Sequence, residues 1–132
     1  AYRTVSQQEA LFNKQVQAYM KDNNLSRTKA ISATRKTVAD PGSSEHHLGT
    51  CFDITVPGVS FGGTQQARWL EKNCWDYGFI LRYQKDKESI TGFLAEPWHF
   101  RYVGLEHSKV MQAENLCLEE YLDEYARDIF VE

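Results

Sequence analysis

Two short segments of this 132-residue chain carry the side chains best suited to chemistry: residues 44–53 (SEHHLGTCFD) and residues 96–99 (EPWH). Together they supply histidines, carboxylates and a thiol, which are the groups that bind zinc. A catalytic zinc needs three protein ligands and an open position for water, and a nearby carboxylate that is not a ligand takes the proton from that water. The two segments therefore hold the parts of a catalytic metal site.

Asp53 lies in a predicted strand over residues 51–56. Because side chains alternate along a strand, Cys51 and Asp53 share one face and apolar side chains occupy the other. We expect this short strand to be central in its sheet, where an unpaired carboxylate is strongly disfavoured. Asp53 therefore needs a metal, a cation or a polar pocket.

The second segment is predicted to enter a strand. Pro97 lacks an N–H group and favours extended geometry at Glu96, so residues 96–99 form a loop that runs into a strand over 98–103. His99 and Arg101 then point to the same face of that strand. The HExxH, P-loop, GxGxxG and GxSxG motifs are absent from the sequence.

The residue types alone leave several assignments open. His46 and His47 are adjacent, so composition does not choose between them as ligands. Cys51 shares the predicted face of Asp53 and is itself a possible ligand, although a small buried cysteine more often packs as a hydrophobe. Cys51, Cys74 and Cys117 lack CxxC spacing, which argues against a zinc ribbon or a thioredoxin-like centre and leaves open one disulfide or three buried thiols.

Hydrophobic periodicity and turn signals predict an α+β fold with a small, mainly antiparallel sheet flanked by helices and the metal site on one face of the sheet. Ser6 and Glu9 have the spacing of a capping box, and Tyr2-Arg3 is predicted to end a strand. Residues 84–91 are polar and are predicted to form a hairpin-like loop. The predicted helices cover 7–22, 26–38, 65–76 and one or two segments of 105–126, and the predicted strands cover 51–56, 79–83 and 98–103.

Composition limits the classes of protein to which the chain can belong. With 42% apolar and 25% charged residues, residues 1–132 fit one compact domain, and the start at Ala1 indicates a trimmed N-terminus. No apolar run approaches the roughly 20 residues of a membrane helix, so we expect no integral membrane segment. A net charge of −3 does not require a nucleic-acid partner. Residues 114–132 hold seven acids and one arginine, which we interpret as a solvated acidic tail helix.

The spacing Ser44-x-His46-x-x-Gly49-x-Cys51-x-Asp53, followed by Glu96-x-x-His99 inside EPWHFRYVG, resembles the LAS metallopeptidases. These comprise the VanY-type D-alanyl-D-alanine carboxypeptidases, their dipeptidase relatives and the L,D-carboxypeptidases. The resemblance extends to the flanking segments 2–8, 41–46, 77–83 and 91–104, so it covers most of the chain. Cys51 replaces the usual alanine. Gln84 and Asp86 replace proline and glycine in the loop before Thr91, and these two loop changes bear on substrate preference more than on catalysis.

The resemblance implies a role for each matched residue. His46, Asp53 and His99 match the three zinc ligands of the family, which implies one zinc ion per chain. Glu96 matches the catalytic base, and Arg3 matches the arginine that holds the scissile carbonyl or the carboxylate of the substrate. Ser44 and Gln8 fall where the family lines its substrate pocket.

The resemblance also implies the reaction, which is removal of the terminal D-Ala from peptidoglycan stem peptides outside the cytoplasm, in the bacterial cell envelope or wall. Arg3 supplies a cation for the free carboxylate, with Arg82 and Arg101 in reserve. L,D-carboxypeptidase action on tetrapeptide stems and D-Ala-D-Ala dipeptidase action are the enzymatic alternatives. There are two non-enzymatic alternatives: an inactive wall-binding module, and a structural-zinc domain with Cys51 as fourth ligand.

Overall fold

The computed structural model describes residues 1–126, which form two compact units: one over Ala1–Cys51 and another that begins at Phe52. The part of the predicted acidic tail beyond residue 126 lies outside the described residues. Residues 1–126 contain α1 (Val5–Asp22), α2 (Arg27–Thr34), β1 (Cys51–Asp53), α3 (Gln65–Asn73), β2 (Phe79–Tyr83), α4 (Glu88–Thr91), β3 (Glu96–Tyr102), α5 (Leu105–Glu114) and α6 (Leu118–Tyr125). The α+β class expected from the sequence is confirmed.

Helix α1 begins at a capping box different from the predicted one. The Thr4 side chain accepts the Gln7 N–H at 3.2 Å, and the Gln7 side-chain oxygen accepts the Thr4 N–H at 2.9 Å. The prediction of Ser6 as N-cap is therefore wrong. Thr4 and Gln7 have the same capping-box spacing, and the N-cap lies two residues earlier than predicted. Residues 2 and 3 are irregular and form no strand.

The first unit packs α1 against α2. Phe12, Val16 and Ala30 are buried and form its core, and Tyr19 and Met20 pack against them as the helical spacing predicted. Helix α2 is shorter than expected and is capped by Ser26. The unit continues through a 3₁₀ turn, Glu45–Leu48, and ends where β1 begins.

The sheet has the strand order β1-β3-β2, and β2 and β3 pair antiparallel. The expectation that the strand carrying Asp53 is central is wrong. The seven-residue β3 forms hydrogen bonds with both of the other strands, so the three-residue β1 is an edge strand. The strand order depends on pairing between distant segments, which local periodicity does not encode.

Helix α3 and the sheet enclose the core of the second unit. Ala67 and Cys74 are buried and Leu70 packs against them, together with Ile80 and Phe100 from the sheet. Gly78 ends the preceding 3₁₀ turn with φ +81°, and a Cβ there would lie 2.9 Å from the Tyr102 ring. Only glycine fits this turn into β2.

Residues 84–91 fold as a 3₁₀ turn, Lys85–Lys87, followed by α4, so the prediction of a hairpin-like loop is wrong. The reason is long-range: Lys87 is buried and its Nζ lies 2.8 Å from Glu120 Oε2 on α6. This hydrogen bond raises the pKa of Lys87 and lowers the pKa of Glu120, so both side chains stay charged at neutral pH.

A search of the described helices for a membrane span found none that combines the necessary length with the necessary hydropathy.

Candidate functional site

The residues predicted to form the site are divided between the two units. The first unit contains Arg3, Gln8, Ser44, His46 and, at its end, Cys51. The second unit contains Asp53, Glu96 and His99.

The hydrogen bonds of the two adjacent histidines distinguish their roles. His47 Nε2 accepts the N–H of Gly42 at 3.2 Å, so its Nδ1 is protonated and donates to the Arg3 carbonyl at 2.6 Å. Both nitrogens of His47 therefore have backbone partners within the first unit. This pattern gives His47 a structural role.

His46 is hydrogen-bonded in the way typical of a metal ligand. It is buried, and its Nδ1 lies 2.8 Å from the Ala1 carbonyl oxygen. Because a carbonyl only accepts, Nδ1 carries the proton and Nε2 carries the lone pair. A metal-binding histidine commonly donates its other N–H to a backbone carbonyl, which fixes the ring orientation. His46 is thus the better candidate of the pair, through Nε2.

Arg3 and Gln8 form a connected pair in the first unit. Arg3 Nη1 donates to Gln8 Oε1 at 2.7 Å, and Gln8 Nε2 donates to the Ala39 carbonyl at 2.8 Å. Gln8 is only 1% exposed, so a buried side chain orients the guanidinium of the partly exposed Arg3. The result is a fixed cation, which suits recognition of a carboxylate or stabilisation of an oxyanion.

Ser44 and Cys51 are both buried, but in different settings. Ser44 Oγ accepts the His46 N–H at 3.3 Å and so begins the 3₁₀ turn that carries both histidines. Cys51 Sγ and a ring nitrogen of His46 lie within 4.8 Å of each other. Because thiolates bind zinc readily, this proximity makes Cys51 an alternative candidate ligand.

In the second unit, a β-bulge brings Glu96 and His99 together. Leu81 pairs with Phe100, but Tyr83, two residues on, pairs with Glu96, four residues back. Two extra residues of β3 therefore lie opposite this stretch of β2, and they re-aim the side chains on either side of them. As a result His99 Nδ1 lies 3.0 Å from Glu96 Oε2, although residues three apart in a regular strand face opposite ways.

Asp53 completes this group from the neighbouring strand. Its Oδ1 lies 3.5 Å from His99 Nδ1, and its side chain is 30% exposed, against 5% for His99 and 7% for Glu96. One ring nitrogen thus faces two carboxylates in a largely buried place. Nitrogen and carboxylate donors in this arrangement suit a divalent cation such as zinc, and the pairing of Asp53 with His99 fits two ligands beside one base.

Some features of this neighbourhood were not predicted. Arg82, expected as a reserve for the substrate carboxylate, is buried and forms a bidentate ion pair with Glu119 at 2.6 and 2.9 Å, so that role is wrong for it. Tyr83 packs edge-on against His99, with ring centroids 5.0 Å apart. The sequence offered one signal for Tyr83: it lies next to Arg82 at the end of a strand whose range was predicted correctly.

The three cysteines are buried thiols. Cys51, Cys74 and Cys117 form no disulfide, which agrees with the three-thiol alternative. Burial raises the pKa of Cys74 to about 12 and also raises the pKa of Cys117. These two thiols therefore stay protonated and unreactive at neutral pH.

Comparison with known proteins gives consistent results. Residues 1–105 match the family model described as VanY, D-alanyl-D-alanine carboxypeptidase. A D-alanyl-D-alanine carboxypeptidase of Enterococcus faecalis is 42% identical over 122 residues, which are 92% of this chain and 45% of that protein. The chain therefore spans about half the length of this curated relative.

Two solved structures are similar over almost the whole chain. VanYB in complex with D-alanine-D-alanine superposes with a TM-score of 0.88 at 41% identity, covering 95% of this chain and 68% of that one. A VanY D,D-pentapeptidase variant from a vancomycin-resistance cassette, in complex with Zn(II), gives a TM-score of 0.85 at 43% identity, covering 92% and 67%.

Proposed function

Because this chain belongs to the VanY family of D-alanyl-D-alanine carboxypeptidases, we propose that it removes the terminal D-Ala from peptidoglycan stem peptides in a zinc-dependent reaction. The observation that carries the proposal is the group in the second unit, where His99 Nδ1 faces Asp53 at 3.5 Å and Glu96 at 3.0 Å. Such a group is expensive to bury unless a cation or a proton balances its charge. A bound zinc ion would balance this charge and leave Glu96 beside it as a base.

The proposed zinc ligands are His46 through Nε2, Asp53 through its carboxylate and His99 through Nδ1. The hydrogen bond from His46 Nδ1 to the Ala1 carbonyl supports the first assignment. The distance between His99 and Asp53 supports the other two. Zinc bound by such a set lowers the pKa of a bound water toward about 7 and polarises a carbonyl.

Glu96 is proposed as the general base and then the general acid. Its carboxylate is buried and lies next to a proposed ligand, so it is within reach of a water held at the same place. Glu96 accepts the proton from the attacking water, and it then delivers that proton to the amine of the departing D-Ala. Two proton transfers by one carboxylate leave the enzyme unchanged after each turnover.

Arg3 is proposed to bind the free carboxylate of the substrate or to stabilise the oxyanion. Gln8 holds its guanidinium at 2.7 Å and is itself fixed by the Ala39 carbonyl, so the cation is oriented before substrate arrives. Ser44 and Gln8 are the proposed substrate-pocket residues. Their burial supports a role in shaping the pocket more than a direct charged contact.

We place the proposed activity at the peptidoglycan, outside the cytoplasm, in the cell envelope. The substrate class follows from the family, and the buried carboxylates and fixed Arg3 suit a short peptide with a free carboxyl end. Neither a nucleic-acid partner nor a membrane segment is part of the proposal.

Defined stem peptides test this proposal. We expect the protein to release D-Ala from a pentapeptide stem that ends in D-Ala-D-Ala, and not from the tetrapeptide that lacks the last residue. The measurement is product identification by mass spectrometry, with free D-Ala-D-Ala dipeptide as a third substrate. D-Ala release from the tetrapeptide alone would indicate an L,D-carboxypeptidase, and cleavage of the free dipeptide alone would indicate a dipeptidase. No release from any of the three would favour a wall-binding or structural domain.

A further inference from the structure

The side chain of Tyr83 is held on three sides within the second unit. Its ring stacks on Phe93 with centroids 4.5 Å apart and planes 18° apart. The same ring meets the His99 imidazole edge-on at 5.0 Å and 71°, and the Arg82 guanidinium lies over it at 4.7 Å. Tyr83 is only 7% exposed, so this packing leaves it little freedom to rotate.

Arg82 is in turn held by helix α6. Its two terminal nitrogens donate to the two carboxylate oxygens of Glu119 at 2.9 and 2.6 Å, in the bidentate geometry that fixes a guanidinium plane. A second ion pair lies next to it, Lys87 with Glu120 at 2.8 Å. Helix α6 thus binds β2 and the following turn through consecutive acidic residues, and it lies outside residues 1–105 that the family model matches.

The contact between Tyr83 and His99 acts on the orientation of the imidazole. The direction of His99 Nδ1 decides whether it faces Asp53 and Glu96, and rotation of the ring would move it away from both. The Tyr83 ring lies in edge-on contact with the imidazole and so restricts this rotation. Neighbours that fix the orientation of a metal-binding histidine affect metal affinity, and losing such a partner typically costs about 10–100-fold.

We propose that Tyr83 is a positioning residue for His99, and that the Arg82–Glu119 ion pair holds Tyr83 in that place. This inference rests on the proposed function in one respect, the role of His99 as a zinc ligand. It adds to that function a chain of contacts from Glu119 through Arg82 and Tyr83 to His99, so that helix α6 sets the geometry of the metal site.

Metal affinity of Tyr83 variants tests the inference. Tyr83→Leu removes the ring, and we expect zinc affinity, measured by chelator competition, to fall about 10–100-fold. Tyr83→Phe keeps the ring, so its zinc affinity should stay within about threefold of that of the original chain. Cobalt substituted for zinc gives the second reading, because its visible absorption spectrum reports ligand geometry. The spectrum should change in Tyr83→Leu and not in Tyr83→Phe.

Matched controls separate positioning from general packing. Tyr102→Leu removes another tyrosine from the same sheet, where it packs against Phe79 and not His99, and should leave zinc affinity unchanged. Glu119→Gln should weaken zinc binding, whereas Glu120→Gln, which breaks the neighbouring pair with Lys87, should not. The side chains of Glu119 and Glu120 are partly exposed, so these two variants keep the test usable if Tyr83→Leu does not fold.

Each outcome has a definite meaning. Unchanged zinc affinity and an unchanged cobalt spectrum in Tyr83→Leu would overturn the inference, as would equal effects of Glu119→Gln and Glu120→Gln. Failure of the unaltered chain to bind zinc would instead overturn the proposed function and, with it, the premise of this inference.

Discussion

The variant Glu96→Gln is expected to retain zinc and to lose kcat by about 10²–10⁴-fold. The amide has nearly the volume of the carboxylate, so it fills the same buried place beside His99. It cannot accept a proton from water, so the chemical step loses its base while the metal ligands stay. The measurements are kcat for D-Ala release from a pentapeptide stem and zinc content by metal analysis.

Glu88→Gln is the matched control for this variant. Glu88 Oε1 accepts the Ala95 N–H at 2.9 Å, immediately before β3, so the control alters a structural carboxylate close in sequence to the site. It should keep both activity and zinc. Loss of zinc from Glu96→Gln would mean that Glu96 is a ligand, and retention of activity would remove it from the mechanism.

Replacement of His46 by alanine should abolish zinc binding and activity together. His46 is expected to provide Nε2 to the metal, and loss of a ligand costs more than the roughly 10–100-fold that loss of an outer partner costs. His47→Ala is the control on the adjacent residue. It removes two hydrogen bonds with the backbone and should lower the free energy of unfolding by about 1–3 kcal/mol without removing zinc.

Cys51→Ser extends this comparison to the alternative ligand. If zinc is catalytic and held by His46, Asp53 and His99, Cys51→Ser should keep it and Asp53→Ala should lose it. The reverse result would support the structural-zinc alternative, for which the proximity of Cys51 to His46 is the physical basis. Equal zinc loss in His46→Ala and His47→Ala would contradict the assignment drawn from the hydrogen bonds.

The parts of the fold that depend on local patterns were predictable from the sequence. Phe12 and Val16 repeat at helical spacing and are buried in α1. Glu96 and His99 could also be selected from the sequence as candidates for a metal site, because their residue types and spacing restrict what they can do. Their hydrogen bond was not predictable, because it depends on a bulge whose register is set by pairing with β2.

Long-range contacts account for most of the differences. Nothing local in residues 84–91 indicates that Lys87 is buried against Glu120, more than 30 positions away, and this pair favours a helical turn over a hairpin loop. The same is true of Arg82, whose charge suggested a substrate contact until its partner Glu119 was located. The N-cap differs for a local reason: Thr4 and Gln7 have the same spacing as the predicted Ser6 and Glu9, and the helix begins at the earlier pair.

A zinc titration of the metal-free chain tests the central claim most directly. After removal of metal by a chelator, zinc is added stepwise, and D-Ala release from a pentapeptide stem and bound zinc are measured in the same samples. We expect no release without metal, a linear rise in activity with bound zinc, and a plateau at one zinc per chain. Full activity in the metal-free protein, or a chain that binds one zinc and releases no D-Ala, would contradict it.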